Sequence, residues 1–336
     1  LKVIGPIDHE KYNTVVTADN FVEITQSKVE KEYDKELNRP KQFLADLAPL
    51  ILEKVFSASP EKWIEIMEIF AENLENRSIK IYFFDQEQQK VISDLGWSGE
   101  VLGTPKDYLS VVNTNISGMK TDKMIEQKID HFVEIKDDGS IVDTVTVTRH
   151  HKGGKEKYEW YNAVNSNYSR VYVPKGSELL QAEGYTREVN APPLDYEKLG
   201  FIPDEDVLNE EKSTKVDPAT GTLVYEDSGK TVFSNWTYVS PGETLTLKYV
   251  YLLPFKISFD ELKKPADTYS LLIQKQSGDE NSEISSTVNG LENFEEVYSY
   301  SEKIKFPEWQ IKEKFSKDIF AGIVLTEKGK SEKFKK

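Results

Sequence analysis

The apolar period of this chain changes once, near Glu100, and that change restricts the folds open to it. Before Glu100 apolar residues recur every three to four positions, the spacing that lines one face of a helix. Beyond it they alternate, the spacing of strands with one buried face. A chain that switches period once, without helical patterns between its strands, does not build βαβ units. The reading is therefore α+β: an α-rich region over residues 1–95, the remnant of a larger α/β domain, followed by an antiparallel, immunoglobulin-like β-sandwich over residues 100–326 in one or two modules.

In the first region, Phe21, Ile24 and Val29 follow helical spacing behind Thr17, with Asp19 and Glu23 where the helix dipole favours acid. Pro40 suits a first helical position, and Phe43, Leu44, Leu47, Leu50, Ile51 and Val55 form an apolar stripe behind it. Ser59-Pro60 repeats the start signal ahead of Trp63, Ile64, Met67, Phe70, Ala71 and Leu74. Residues 79–84 read as a short strand, and a last helix carrying Val91, Ile92 and Leu95 is predicted to stop at Gly96.

In the second region the clearest hairpin spans residues 130–149. Val133 and Ile135 lie on one arm, Val145 and Val147 on the other, and Asp138-Gly139 forms the turn. Thr144, Thr146 and Thr148 face the opposite side. Segments 169–174, 223–225, 230–238, 244–253, 269–276 and 297–305 also alternate. Residues 190–221, rich in proline and acid, read as a long loop, and the lysine-rich residues 327–336 as a frayed tail.

Charge and composition narrow the function classes. Fifty-eight acidic against 43 basic residues give a net charge of −15, which repels phosphate backbones, so nucleic acid is not an expected partner. With no cysteine there is no disulfide, no cysteine-zinc site and no cysteine nucleophile. That fits an exported bacterial protein. The longest apolar runs are far short of a membrane span, and the chain starts at Leu1 without a signal-like segment, so any membrane anchor is expected to precede this sequence.

Two resemblances follow from specific residues. Gly96-Trp97-Ser98-Gly99-Glu100-Val101, Asp107-Tyr108-Leu109, Asn115 through Gly118 to Lys120-Thr121-Asp122, Arg170-Val171-Tyr172-Val173-Pro174-Lys175-Gly176-Ser177, Gly229 to Phe233, Pro241-Gly242-Glu243 and Gln274 to Gly278 occur in the order of a bacterial family known as domain of unknown function 4012 (DUF4012). The resemblance covers about residues 79–278 and implies a membrane-anchored, extracytoplasmic parent protein without an established activity. More distantly, Asp34 with the Asn38-Arg39-Pro40-Lys41-Gln42 stretch is similar to LytR-CpsA-Psr envelope phosphotransferases over residues 17–56. That likeness implies Asp34 and Arg39 as catalytic residues attaching glycopolymer to the cell wall. The Arg-x-Arg that precedes the family motif is replaced around Gln26-Ser27-Lys28.

The leading expectation is a non-catalytic cell-surface module, and the phosphotransferase is the alternative. Candidate binding residues are Asn115, Lys120 and Asp122, in a loop where polar side chains either recognise a ligand or cap the turn. Arg170 could fork a phosphate or carboxylate or serve a structural ion pair. Trp160 and Tyr161, clustered with Tyr158 and Tyr168, could stack on sugar faces or pack in the core. His150 and His151 point to opposite faces of one strand, so with His131 they predict no metal site. Acid runs at Asp204-Glu205-Asp206, Asp217 and Asp279-Glu280 lack a calcium-loop pattern and read as solvated loops. No cofactor is expected. The expected partner is an envelope glycan or another surface protein.

Overall fold

The computed structural model describes residues 1–33, 35–36, 38–186, 196, 198–260 and 262–334. These divide into two units, Leu1–Glu75 and Asn76–Lys336, so the period change near Glu100 falls inside the second.

In the first unit, strands β1 (Ile7–His9) and β2 (Thr14–Val16) pair antiparallel, and helices α1 (Phe21–Glu30), α2 (Gln42–Phe56) and α3 (Pro60–Glu75) follow. Thr17 Oγ1 accepts from Asn20 N at 3.2 Å while Asn20 Oδ1 accepts from Thr17 N at 2.8 Å, and these reciprocal bonds fix the turn into α1. From the α2 stripe, Phe43 and Leu47 enter a small core with Ile7 and Val16.

The second unit opens with α4 (Gln86–Asp94). Asp85 caps it by accepting from Gln88 N at 2.9 Å, and Gly96 follows it at φ 75°. Residues 79–84 do not form the predicted strand. Ile81 N donates to Trp97 O, but no ladder forms around that bond, and Tyr82 and Phe84 are exposed.

Fifteen strands and one α-helix follow among the described residues: β3 (Asp107–Asn115), β4 (Ile125–Ile135), β5 (Ser140–His151), β6 (Asn165–Pro174) and β7 (Glu178–Glu183). Then come α5 (Glu205–Ser213), β8 (Lys215–Val216), β9 (Leu223–Asp227), β10 (Lys230–Val239), β11 (Thr244–Lys256) and β12 (Ala266–Ile273). The last are β13 (Ser282–Asn289), β14 (Phe294–Ser299), β15 (Ile304–Lys305), β16 (Glu308–Lys314) and β17 (Ile319–Glu327). They build an eight-stranded sheet, β14-β17-β12-β3-β6-β10-β9-β8, and a seven-stranded sheet, β15-β16-β13-β4-β5-β11-β7.

The class is α+β with most residues of regular structure in strands. The sheets are mixed rather than wholly antiparallel, because β12 runs parallel to β3 and β13 parallel to β4. Alternation marks a strand but not its direction. Parallel neighbours need a long connection, and these pairs come from segments far apart in the chain.

Inward rows of both sheets share one apolar cluster. Leu109, Val111 and Leu271 enter from one sheet and Ile129, Val147 and Ile284 from the other, with Tyr249, Tyr269 and Trp309 fully enclosed. Each such side chain contributes on the order of 1.5–3 kcal/mol by leaving water. The β4–β5 turn is the predicted one. Ser140 N donates to Asp138 Oδ1 at 3.0 Å, and Gly139 sits at φ 79° with its Cα against Ile257 O.

The predicted loop at 190–221 is in part a helix. Asp204 accepts from Asp206 N and Val207 N, so this acid run caps α5 instead of lying in a loop. Residues 187–195 and 197 lie outside the described residues. At the C-terminal end, Glu295 accepts from Gly329 N at 2.7 Å and Ser331 N at 3.0 Å, which ties down the start of the lysine-rich segment.

Candidate functional site

Strand β5 alternates without interruption. Ile141, Asp143, Val145, Val147, Arg149 and His151 are buried, and the residues between them are half-exposed. The same parity that buries the valines therefore forces two ionisable side chains, Asp143 and Arg149, into the interior. Each lies at the centre of its own polar cluster.

Arg149 lies near the end of β5, opposite Gln127 on β4, and is 4% exposed. It lines a cavity of about 170 Å³ whose wall also includes Asn113, Asp122, Gln127, Gln276 and residues 277–282. That volume holds about five or six waters at ~30 Å³ each, or one small ring. A directed chain of hydrogen bonds runs along the wall. Asn167 Nδ2 donates to Asn113 Oδ1 at 3.0 Å, and Asn113 Nδ2 to Gln127 Oε1 at 2.8 Å. Gln127 Nε2 donates to Ser282 Oγ at 3.0 Å, and Ser282 Oγ to Asp279 Oδ2 at 2.5 Å. Gln276 locks β3 from outside the ladder, accepting from Asn113 N at 2.9 Å and donating to Asn113 O at 2.8 Å.

The guanidinium is less well served than the amides around it. Its Nη2 stands 3.7 Å from Asp122 Oδ1, while Nε and Nη1 are buried with no accessible surface and no hydrogen-bond partner among the described residues. The buried carbonyl oxygens Asn165 Oδ1 and Asn167 Oδ1 also lack partners. Burial draws the arginine pKa down to about 10, and the charges of Asp122 and Asp279 pull it back up. It stays charged at neutral pH. A buried charge with unmade hydrogen bonds is costly, and such groups concentrate where a ligand completes them.

The second cluster joins the two sheets at mid-core. His131 Nε2 lies 3.4 Å from Asp143 Oδ2 and 4.0 Å from Asp107 Oδ2, and His131 Nδ1 lies 3.2 Å from Ser286 Oγ. Asp107 accepts from Tyr269 OH at 2.6 Å and from Tyr108 N at 2.7 Å. Burial pushes both carboxyls up to about 8, with the Asp143 charge adding to the rise of Asp107, and burial pushes His131 down. Protons shared among these acceptors are the consequence at neutral pH. The donor atoms lie within 4.8 Å of one another, so the set also suits a divalent cation. None of the three lines the Arg149 cavity.

The predicted binding residues separate. Asp122 is in the cavity wall, where it accepts from Asn165 Nδ2 at 2.8 Å. Asn115 caps the adjoining turn: its Oδ1 accepts from Gly118 N at 2.9 Å and its Nδ2 donates to Thr121 Oγ1 at 3.2 Å. Lys120 is exposed on that turn, and its backbone N donates to Trp160 O at 3.1 Å. Trp160 stacks flat on Tyr158 at 4.6 Å, and buried Tyr161 meets both edge-on. Arg170 is half-buried and donates to Thr114 Oγ1 at 3.0 Å. It does not line the cavity. Arg39 is exposed, and Asp34 lies outside the described residues.

His151 Nδ1 accepts from Gly153 N, and its Nε2 meets Ala163 O at 3.0 Å. His150 faces the other way, toward Thr244. Sequence reading missed Arg149, Gln127, Asp107 and Asp143. The available signal was a charged or amide residue at an inward position of an alternating strand.

No protein-family model matches the chain, and no curated protein does. Among solved structures, a Legionella pneumophila protein assigned to nutrient binding aligns over 66% of this chain and 71% of its own, at 8% identity and a TM-score of 0.32. A two-domain M1 zinc metallopeptidase aligns over 61% of this chain and 43% of its own, at 9% identity and a TM-score of 0.21. The M1 zinc metallopeptidase of Deinococcus radiodurans aligns over 62% and 44%, at 8% identity and a TM-score of 0.20. The chain thus spans less than half the length of these peptidases. Scores this low carry no argument about function.

Proposed function

We propose that this chain is a non-catalytic, extracytoplasmic module of the bacterial cell surface that binds an envelope component through the Arg149 cavity. The observation that carries the reading is a buried, charged guanidinium in a cavity wall whose Nη2 approaches no described group more closely than Asp122 Oδ1, at 3.7 Å. The surroundings suit recognition. Amides held in register by one another offer fixed donors and acceptors around the guanidinium. A second hollow of about 510 Å³, on the outer face of β4 and β5, shares Gln127 and residues 280–282 with the first, which favours a ligand longer than one residue.

Two sheets with a common core favour the sandwich reading, here with larger sheets than an immunoglobulin domain carries. The resemblance to DUF4012 supports a membrane-anchored parent, and the partner is a cell-envelope glycan or another surface protein. The phosphotransferase alternative has less support, because Arg39 is exposed and lines neither hollow.

The test is surface protease shaving of intact cells making the native protein, then pull-down of cell-wall fractions by the chain and by its Arg149→Lys variant. Cleavage on intact cells, with wall capture weakened by the variant, is expected. Cleavage only after lysis would contradict the surface location. Equal capture by both chains would contradict the site.

A further inference from the structure

We propose that the Arg149 cavity recognises a carboxylate with hydrogen-bond donors on its neighbouring atoms, the chemistry shared by an acidic sugar residue and an α-amino acid, and that it discriminates against phosphate. This rests on the binding reading above and adds the ligand's charge pattern to it.

Recognition starts at the guanidinium. Its Nη2, the guanidinium nitrogen that keeps accessible surface, can donate to a carboxylate oxygen, and its partner among the described residues is only the distant Asp122, at 3.7 Å. Neighbouring charges then select among anions. Asp122, Asp279 and Glu280 line the same cavity, so the wall carries three carboxylates against one guanidinium. A phosphate dianion meets net repulsion there. A monoanionic carboxylate loses less, and a hydroxyl or ammonium group beside it donates to those acids.

The amides reinforce the pattern. The chain from Asn167 through Asn113, Gln127 and Ser282 sends its donors toward Asp279, so the acceptors in the wall are led by the carboxylates of Asp122, Asp279 and Glu280. The site thus combines one strong cationic donor with several acceptors. A cavity of about 170 Å³ limits the recognised group to a single residue, which can still belong to a longer chain.

Isothermal titration of the full chain with matched pairs tests this. The probes are galacturonate against galactose, alanine against alaninamide, and inorganic phosphate. A carboxylate is expected to bind about tenfold or more tightly than its partner lacking that carboxylate and than phosphate, and Arg149→Lys is expected to remove that advantage. Whether galacturonate or alanine prevails identifies the sugar or the amino-acid source. Should Arg149→Lys fail to fold, Asp122→Asn alters a side chain that is 56% exposed, and it is expected to raise phosphate affinity several-fold. Galactose and galacturonate binding alike, with Asp122→Asn leaving phosphate unchanged, would overturn the carboxylate assignment while the binding reading stands. If none of the probes binds, both are overturned.

Discussion

His131 Nε2 stands 3.4 Å from Asp143 Oδ2 at a point where neither side chain is exposed to solvent. Burial raises the folded-state pKa of Asp143 and Asp107 and lowers that of His131. Between the ordinary carboxylate pKa and about 8 the native state therefore holds protons that the unfolded chain has released. Stability gained from these groups is present at low pH and is lost as pH rises toward 8. His131 opposes this trend only below about 6.5, where the unfolded imidazole binds a proton that the native one does not. Urea midpoints at pH 6.5, 7.5 and 8.5 should fall by about 1 kcal/mol or more of stability per unit. Asp107→Asn with Asp143→Asn should flatten the slope. A rising or level wild-type profile would contradict the shared-proton account.

Parity along β4 predicts a sharp contrast between adjacent residues. Ile129 is fully buried in the common core, whereas Lys128 points outward into a solvent-exposed pair with Asp130. Ile129→Ala should cost about 2–5 kcal/mol and Lys128→Ala within about 0.5 kcal/mol of nothing. Chemical denaturation of both variants checks it, and similar costs would refute the assigned register.

Gly139 adopts φ 79°, and a Cβ there would lie 1.9 Å from Ile257 O. Gly139→Ala should destabilise by more than about 1 kcal/mol, since strain and a backbone clash act together. A neutral effect in a thermal melt would mean that the turn has another conformation.

Asn115 separates capping from recognition. Its amide bonds Gly118 N and Thr121 Oγ1, so Asn115→Ala should lower stability by roughly 1–3 kcal/mol. Because Asn115 does not line the cavity, ligand affinity measured well below the melting temperature should change less than for Arg149→Lys. The reverse ranking would make Asn115 a ligand-contacting residue.

Much of this fold could be read from spacing, and the failures have physical reasons. The β4–β5 hairpin was legible because Val133, Ile135, Val145 and Val147 alternate around Asp138-Gly139. Strand β13 was not, because Ser282 and Ser286 share its inward row with Ile284 and Val288, and serines there blur the alternation. The direction of β12 beside β3 is a long-range pairing that no local pattern encodes. At the site, Asp122 was chosen for its loop, whereas Arg149 was passed over because it sat in a strand read as core. Asn113, Gln127 and Gln276, which line the same cavity, come from three separate segments, so only folding brings them together.

The central claim is that the buried Arg149 guanidinium is completed by a ligand. Its most direct test is the arginine Nε–H region of a ¹⁵N–¹H NMR spectrum, which five arginines keep simple to assign, during titration of the chain with galacturonate and then with alanine. The account predicts that the Arg149 resonance shifts saturably with one of them while those of Arg39 and Arg170 stay in place. An Arg149 resonance unmoved by both, or moving only in step with those of Arg39 and Arg170, would contradict it.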